Sequence, residues 1–201
     1  MENLHIILAS FVSAMVFFMV PATAEDRPNI VLFLADDMGY GELGCYGNPD
    51  AITPNLDRFA GEGLRLTDCH AASSVCSPAR SSLLTGRMPF RNGVFTWIPS
   101  GSPIHLRTSE RALPKLLKQA GYDTCHVGKW HLNGLFNSQE QPQPSDHGYA
   151  WWLATQNNAA PSHAFPNNFV RNGKAVGKVN DYSAPFIAQE AVSWLETKRD
   201  P

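Results

Sequence analysis

The chain of 201 residues has no strong excess of charge of either sign, with 16 Lys and Arg against 18 Asp and Glu. That balance gives no field for a polyanion, so nucleic acid is not an expected partner, nor is an anionic membrane surface. Cysteine is scarce, at four residues: Cys45, Cys69, Cys76 and Cys125. None of them forms a Cys-x-x-Cys pair, which removes the common zinc and thioredoxin-like patterns. Internal repeats and low-complexity tracts are absent. The longest apolar run, Ile6 to Val20, falls short of the roughly 20 residues a spanning helix needs.

That run, with the small residues Ala22, Thr23 and Ala24 behind it, reads as a secretory signal over 1–24. Met1 to His5 contain no Lys or Arg, so an uncleaved N-terminal anchor is the alternative, and membrane contact is expected only then. No cysteine stands at the cleavage site, which argues against a lipoprotein. Residues 25–201 are enough for one core. A secreted or periplasmic location follows, and with it an environment that permits disulfides. Were Cys76 chemically converted, three thiols would remain and at most one internal bridge could form; its pairing stays open.

The hydrophobic pattern alternates between strand and helix signals. Asn29 to Ala35 reads as a buried parallel strand ending at Asp36 and Asp37. Thr53-Pro54 opens a short helix that Gly63 stops, and Leu64 to Cys69 alternates like a strand. Ser77 to Thr85 is helical and ended by Gly86. Leu113 to Ala120 is helical before Gly121, with a strand over Tyr122 to Val127. Residues Asn137 to Ser183 carry much Pro and Asn and read as long surface loops. A final helix places Ile187, Ala191, Trp194 and Leu195 on one face, with Ser183 as cap and Lys198 and Arg199 at its end. This alternation argues an α/β fold.

Cys76-Ser77-Pro78-Ala79-Arg80 carries the most chemistry. It puts a cysteine at a helix start and an arginine one turn later, so a thiolate would feel the positive helix end and the guanidinium together. Taken alone, such a cysteine is more often inert core. Asp36 and Asp37 are adjacent carboxylates at a strand end, where open α/β sheets bind ligands. They select a hard cation, calcium or magnesium, over zinc. Lys129 and His131 follow a predicted strand two residues apart. On an extended segment their side chains share a side and Trp130 faces the core.

In order and spacing, Arg27 to Gly41, Thr53-Pro54-Asn55-Leu56-Asp57, the Cys76 motif and Gly128-Lys129-Trp130-His131 resemble the type I, formylglycine-dependent sulfatases. These belong to the alkaline phosphatase-like superfamily. The resemblance runs over roughly residues 27–200. It implies a sandwich with a central mixed, largely parallel sheet flanked by helices, and hydrolysis of a sulfate monoester of a small molecule or glycan. It implies that a formylglycine-generating maturation enzyme converts Cys76 to Cα-formylglycine (3-oxoalanine). The hydrate of that residue would act as nucleophile on a divalent metal, Ca2+ in most members, held by Asp36, Asp37 and Cys76. Arg80 would steady the nucleophile's charge, Lys129 would neutralise sulfate oxygens, and His131 would bind substrate and serve as a base. Asn157, Asn158 and His163 lie in a loop that contacts substrate in some members. Arg87 reads as structural, and His70, His105, His126 and His147 as surface or satisfied core residues.

Type I sulfatases are typically longer, so residues 25–201 are expected to be an incomplete N-terminal sulfatase domain lacking further metal ligands. Two other readings compete: a phosphonate or phosphate monoester hydrolase of the same superfamily, and an inactive truncated chain.

Overall fold

The computed structural model describes residues 27–197. The expected signal segment and the basic end of the last helix lie outside them. Two compact units divide the chain, Met1–Asp36 and Asp37–Pro201. In the first, residues 27–35 have no regular secondary structure. The strand expected over Asn29 to Ala35 is therefore not formed, and Phe33 is 90 % exposed. A strand draws its hydrogen bonds from neighbours, and among the described residues no strand pairs with this segment. Leu64 to Cys69 fails for the same reason: it lacks strand structure, and Leu64 and Leu66 face solvent.

The second unit contains five α-helices among the described residues: α1 (Pro54–Glu62), α2 (Cys76–Thr85), α3 (Pro89–Asn92), α4 (Leu113–Gln119) and α5 (Ser183–Thr197). Their boundaries follow local chemistry. Pro54 occupies the first turn of α1 and Gly63 ends it. Gly86 ends α2 in the left-handed region at φ 64°, its N–H returning to the Ser82 carbonyl at 2.8 Å. Thr53 stands at the N-cap position of α1 but makes no side-chain capping bond. Its hydroxyl donates to Asp57 Oδ1 at 3.0 Å and accepts the Gly44 N–H at 2.9 Å.

Four strands form one mixed sheet in the order β1 (Cys125–Lys129), β2 (Trp151–Thr155), β3 (Val170–Arg171), β4 (Lys174–Ala175). β1 and β2 pair in parallel, from Cys125 opposite Trp151 to Lys129 opposite Thr155. β2 with β3 and β3 with β4 are antiparallel. Asn172 and Gly173, at φ 46° and 84°, make the two-residue turn between β3 and β4. Three strands thus fall within Asn137 to Ser183, the stretch read from sequence as loop. The reason is visible in β2: Trp152, Leu153 and Ala154 are all buried, so the strand shows no alternation.

β2 divides the core. Trp152 and Ala154 pack with Leu84, Ile98, Leu106, Trp130 and Leu132, whereas Leu153 packs with Phe169 and Val179, against which Phe186 and Ile187 of α5 rest. Helices therefore lie on the sheet as the α/β pattern requires. Among the described residues no helix is long and apolar enough to cross a membrane.

The turn before β2 passes close to α4. A Cβ on Gly148, which has φ 103°, would stand 2.5 Å from the Lys115 nitrogen and 2.7 Å from its Cα. Gly148→Ala is expected to cost at least about 2 kcal/mol, combining backbone strain with overpacking. Gly173→Ala should cost less, because its nearest neighbour, Asn137 Oδ1, is 3.9 Å away. Urea unfolding of the two variants checks the order.

Candidate active site

Cys76 is the first residue of α2 and is half-buried, with a free thiol. α2 has little amphipathic character because its inner face is built from Ser77, Ser81 and Ser82 with Pro78 and Leu84. Most of these buried hydroxyls are bonded, as burial demands. Ser77 Oγ accepts the Ile98 N–H at 3.2 Å, and Ser81 Oγ donates to the Pro78 carbonyl at 2.9 Å and accepts from Asn92 Nδ2 at 3.0 Å. At the far end, Arg87 Nη1 donates to Glu110 Oε2 at 2.6 Å, and Arg107 donates to Glu110 Oε1 at 3.1 Å. The Glu110 side chain is 4 % exposed. Arg87 thus ties the end of α2 to the chain before α4.

Arg80 reaches from α2 to the sheet, donating from Nη1 to the Lys129 carbonyl at 2.7 Å. This bond joins the Cys76 helix to the carboxyl end of β1. Lys129 in turn donates from Nζ to Asn158 Oδ1 at 3.1 Å. The backbone then breaks from strand geometry. His131 has φ 56°, so the alternation expected for Lys129, Trp130 and His131 ends one residue early. Trp130 is buried as expected, but His131 is fully buried too. Its Nε2 donates to the Ile98 carbonyl at 2.9 Å, and its N–H donates to the Gln156 carbonyl at 2.7 Å. These bonds hold a strained left-handed conformation in place. With Nε2 donating, a neutral imidazole presents Nδ1 as its acceptor.

Ile98 is a shared anchor that the sequence reading missed. Its N–H meets Ser77 beside Cys76, and its carbonyl receives both His131 and Gln156 Nε2, the latter at 3.2 Å. Gln156 also donates to the Asn133 carbonyl at 2.9 Å. An apolar residue acting through its backbone leaves no sequence signal. His163 Nδ1 meets Ser183 Oγ at 2.8 Å, which pins its loop to the start of α5.

Behind the Lys129 turn lies an aromatic cluster in which His126 packs on Trp130 and Tyr149, and His147 packs on Trp130. Neither ring nitrogen of His147 finds a well-formed hydrogen bond, although the residue is fully buried. Burial, then the Arg80 guanidinium, lowers the His126 imidazole to about 4. Burial, then Lys115, lowers His147 to about 4. Cys125 is pushed up to about 12, first by burial and then by Glu190, so its thiol is an inert one.

Asp36 ends the first unit, and Asp37 opens the second as an exposed residue at φ 57°. Oxygen donors of this kind suit calcium or magnesium. Among the described residues no three His, Cys, Asp or Glu side chains gather into a group that could hold a metal ion. The carboxylate pair therefore fits the donor chemistry of such a site while supplying only part of its shell. A hollow of about 730 Å³ is lined by residues that include Gly44, Cys45, Asp57 and Arg65; none of the predicted site residues lines it.

The sulfatase family model matches residues 28–201, and the chain belongs to that family. Rat (Rattus norvegicus) N-acetylgalactosamine-6-sulfatase is 44 % identical over 147 residues, 69 % of this chain and 27 % of the relative. Human (Homo sapiens) steryl-sulfatase is 42 % identical over 148 residues, 69 % of this chain and 25 % of the relative. A protein solved with its substrate D-glucosamine-2-N,6-O-disulfate superposes with a TM-score of 0.69 at 31 % identity, over 87 % of this chain and 32 % of that one. The fold is the alkaline phosphatase-like one of these neighbours. The chain spans about a quarter of the length of the curated relatives it matches.

The two depressed histidines set a pH dependence. Both stay neutral in the fold, whereas an unfolded chain protonates them near 6.5. Their contribution to stability is complete above pH 6.5 and is lost as pH falls from there toward about 4. Urea midpoints should drop across that window. His147→Phe, which keeps the packing on Trp130 without the titration, should flatten the slope.

Proposed function

We propose that this chain carries the nucleophile-bearing part of a sulfatase that hydrolyses sulfate monoesters, with Cys76 as the residue matured to formylglycine. The observation that supports this reading most is the Arg80 bond to the Lys129 carbonyl at 2.7 Å, which draws the Cys76 helix and the Lys129-Trp130-His131 turn together. Cys76 contributes the nucleophile position at the start of α2, where backbone N–H groups favour negative charge. Arg80 supplies a guanidinium for anionic oxygen, and Lys129 an ammonium for sulfate oxygens. His131, held by Ile98 and Gln156, holds or moves a proton at Nδ1.

Asp36 and Asp37 would contribute carboxylates, with Cys76 after maturation, to a calcium or magnesium ion. Such an ion would supply charge stabilisation and acidify a bound hydroxyl. The substrate class proposed is a sulfated glycan. The rat relative is named for a sulfated amino sugar and the solved neighbour was captured with another. Steryl-sulfatase marks the alternative, a sulfated lipophilic alcohol. Export to the periplasm or outside the cell fits a glycan substrate and the apolar N-terminal run.

Coexpression with a formylglycine-generating enzyme should convert Cys76 to an aldehyde or its hydrate, visible by peptide mass spectrometry. An unmodified thiol under those conditions would remove Cys76 from the chemistry. In a form that turns over 4-nitrocatechol sulfate, Cys76→Ala should abolish hydrolysis. Lys129→Ala should lower kcat/KM by about 100-fold or more, the scale for losing one donor to a developing anion. A matching phosphate ester assayed in parallel tests the dianion alternative: faster phosphate than sulfate hydrolysis would overturn the sulfatase assignment.

A further inference from the structure

We infer that Asn168 is a positioning residue for Lys129, acting through Asn158; the inference rests on Lys129 as the sulfate-binding cation proposed above. Asn168 stands just before β3, next to Phe169, which is 1 % exposed and part of the core. Both ends of its side-chain amide engage a single loop. Oδ1 accepts the Ala160 N–H at 2.8 Å, and Nδ2 donates to the Asn158 carbonyl at 3.0 Å. The neighbouring Asn167 adds its own N–H to the Ala160 carbonyl at 2.8 Å. Residues 158–160 are therefore clamped from one point that is rooted in packed core.

The clamp matters because of what the loop presents. Asn158 is exposed, and its Oδ1 accepts from Lys129 Nζ at 3.1 Å. An exposed amide on a loose loop would exchange that bond for water. The lysine ammonium, on a flexible four-carbon stem, would then lose one of the contacts that fix its place. Fixing the Asn158 backbone from Asn168 gives the ammonium a preset acceptor. The carbonyl of the same lysine receives Arg80, so the clamp refers both cations of the site to one frame. Thr155 Oγ1 closes the near side of the loop by donating to the Asn157 carbonyl at 2.6 Å.

The test reads Lys129 directly. The 201-residue chain is reductively methylated with formaldehyde and cyanoborohydride, and each lysine's rate is followed by peptide mass spectrometry. The exposed Lys118 and Lys174 serve as internal references. Asn168→Ala should speed Lys129 labelling about five-fold relative to them, the ratio expected for one lost hydrogen bond. Asn158→Ala should speed it at least as much, and the double variant should add nothing beyond Asn158→Ala alone. An unchanged Lys129 rate in folded Asn168→Ala overturns the inference, as does a double variant in which the two effects multiply. Should Asn168→Ala unfold, Asn168→Asp carries the same comparison, since it keeps the acceptor for Ala160 and loses only the donor to Asn158. Unfolding of both overturns the positioning role. Labelling needs no turnover, so a chain that cleaves no sulfate ester refutes the functional reading while the Lys129 rates still decide the role of Asn168.

Discussion

The sheet and the core on its two faces are arranged around the burial of β2. Trp152 and Ala154 fill one side of the sheet and Leu153 the other, so the five residues from Trp151 to Thr155 must be covered on both faces. Apolar burial of this kind is worth about 25 cal/mol per Å² and is the main force available to offset chain entropy. It fixes β1 alongside, in parallel register, and brings Lys129 opposite Thr155. The turn that carries Lys129, Trp130 and His131 is then sewn to the chain after β2: Trp130 donates to the Thr155 carbonyl at 2.9 Å and His131 to that of Gln156 at 2.7 Å. The candidate site sits where strand pairing hands over to loops, the usual place for ligands in such sheets.

Two of the polar side chains there donate to backbone carbonyls. Arg80 is oriented by the carbonyl of Lys129, and His131 by that of Ile98. Elsewhere Glu110 takes both Arg87 and Arg107, and Glu190 takes Arg171 through Nε at 3.1 Å and through Nη2. Those arginines are spent on holding α2 and α5 in place.

The helices were legible because their signals are local. Pro54 and Gly63 bound α1, Gly86 bounds α2, and Gly121 follows α4, each by backbone chemistry that needs no tertiary partner. Strands were harder. Asn29 to Ala35 has the composition of a buried strand, yet a strand exists only where another pairs with it, and none does among the described residues. β2 was missed for the opposite reason: burial on both faces erases the alternation that marks a half-buried strand, and its short run sits among loop-like residues.

What the sequence by itself determined is the chemistry: a cysteine and an arginine one helical turn apart, adjacent carboxylates, a lysine and a histidine two residues apart, and hence membership of the sulfatase family. These are matters of residue type and spacing, which a chain carries whether or not it is folded. Only the tertiary structure decided how the pieces meet. The left-handed turn at His131, the anchoring of that ring by Ile98, and the path from Asn168 through Asn158 to Lys129 all depend on hydrogen bonds between residues distant in sequence. Ile98 takes part through its backbone alone, and every residue has that same backbone, so no reading of side chains could have singled it out.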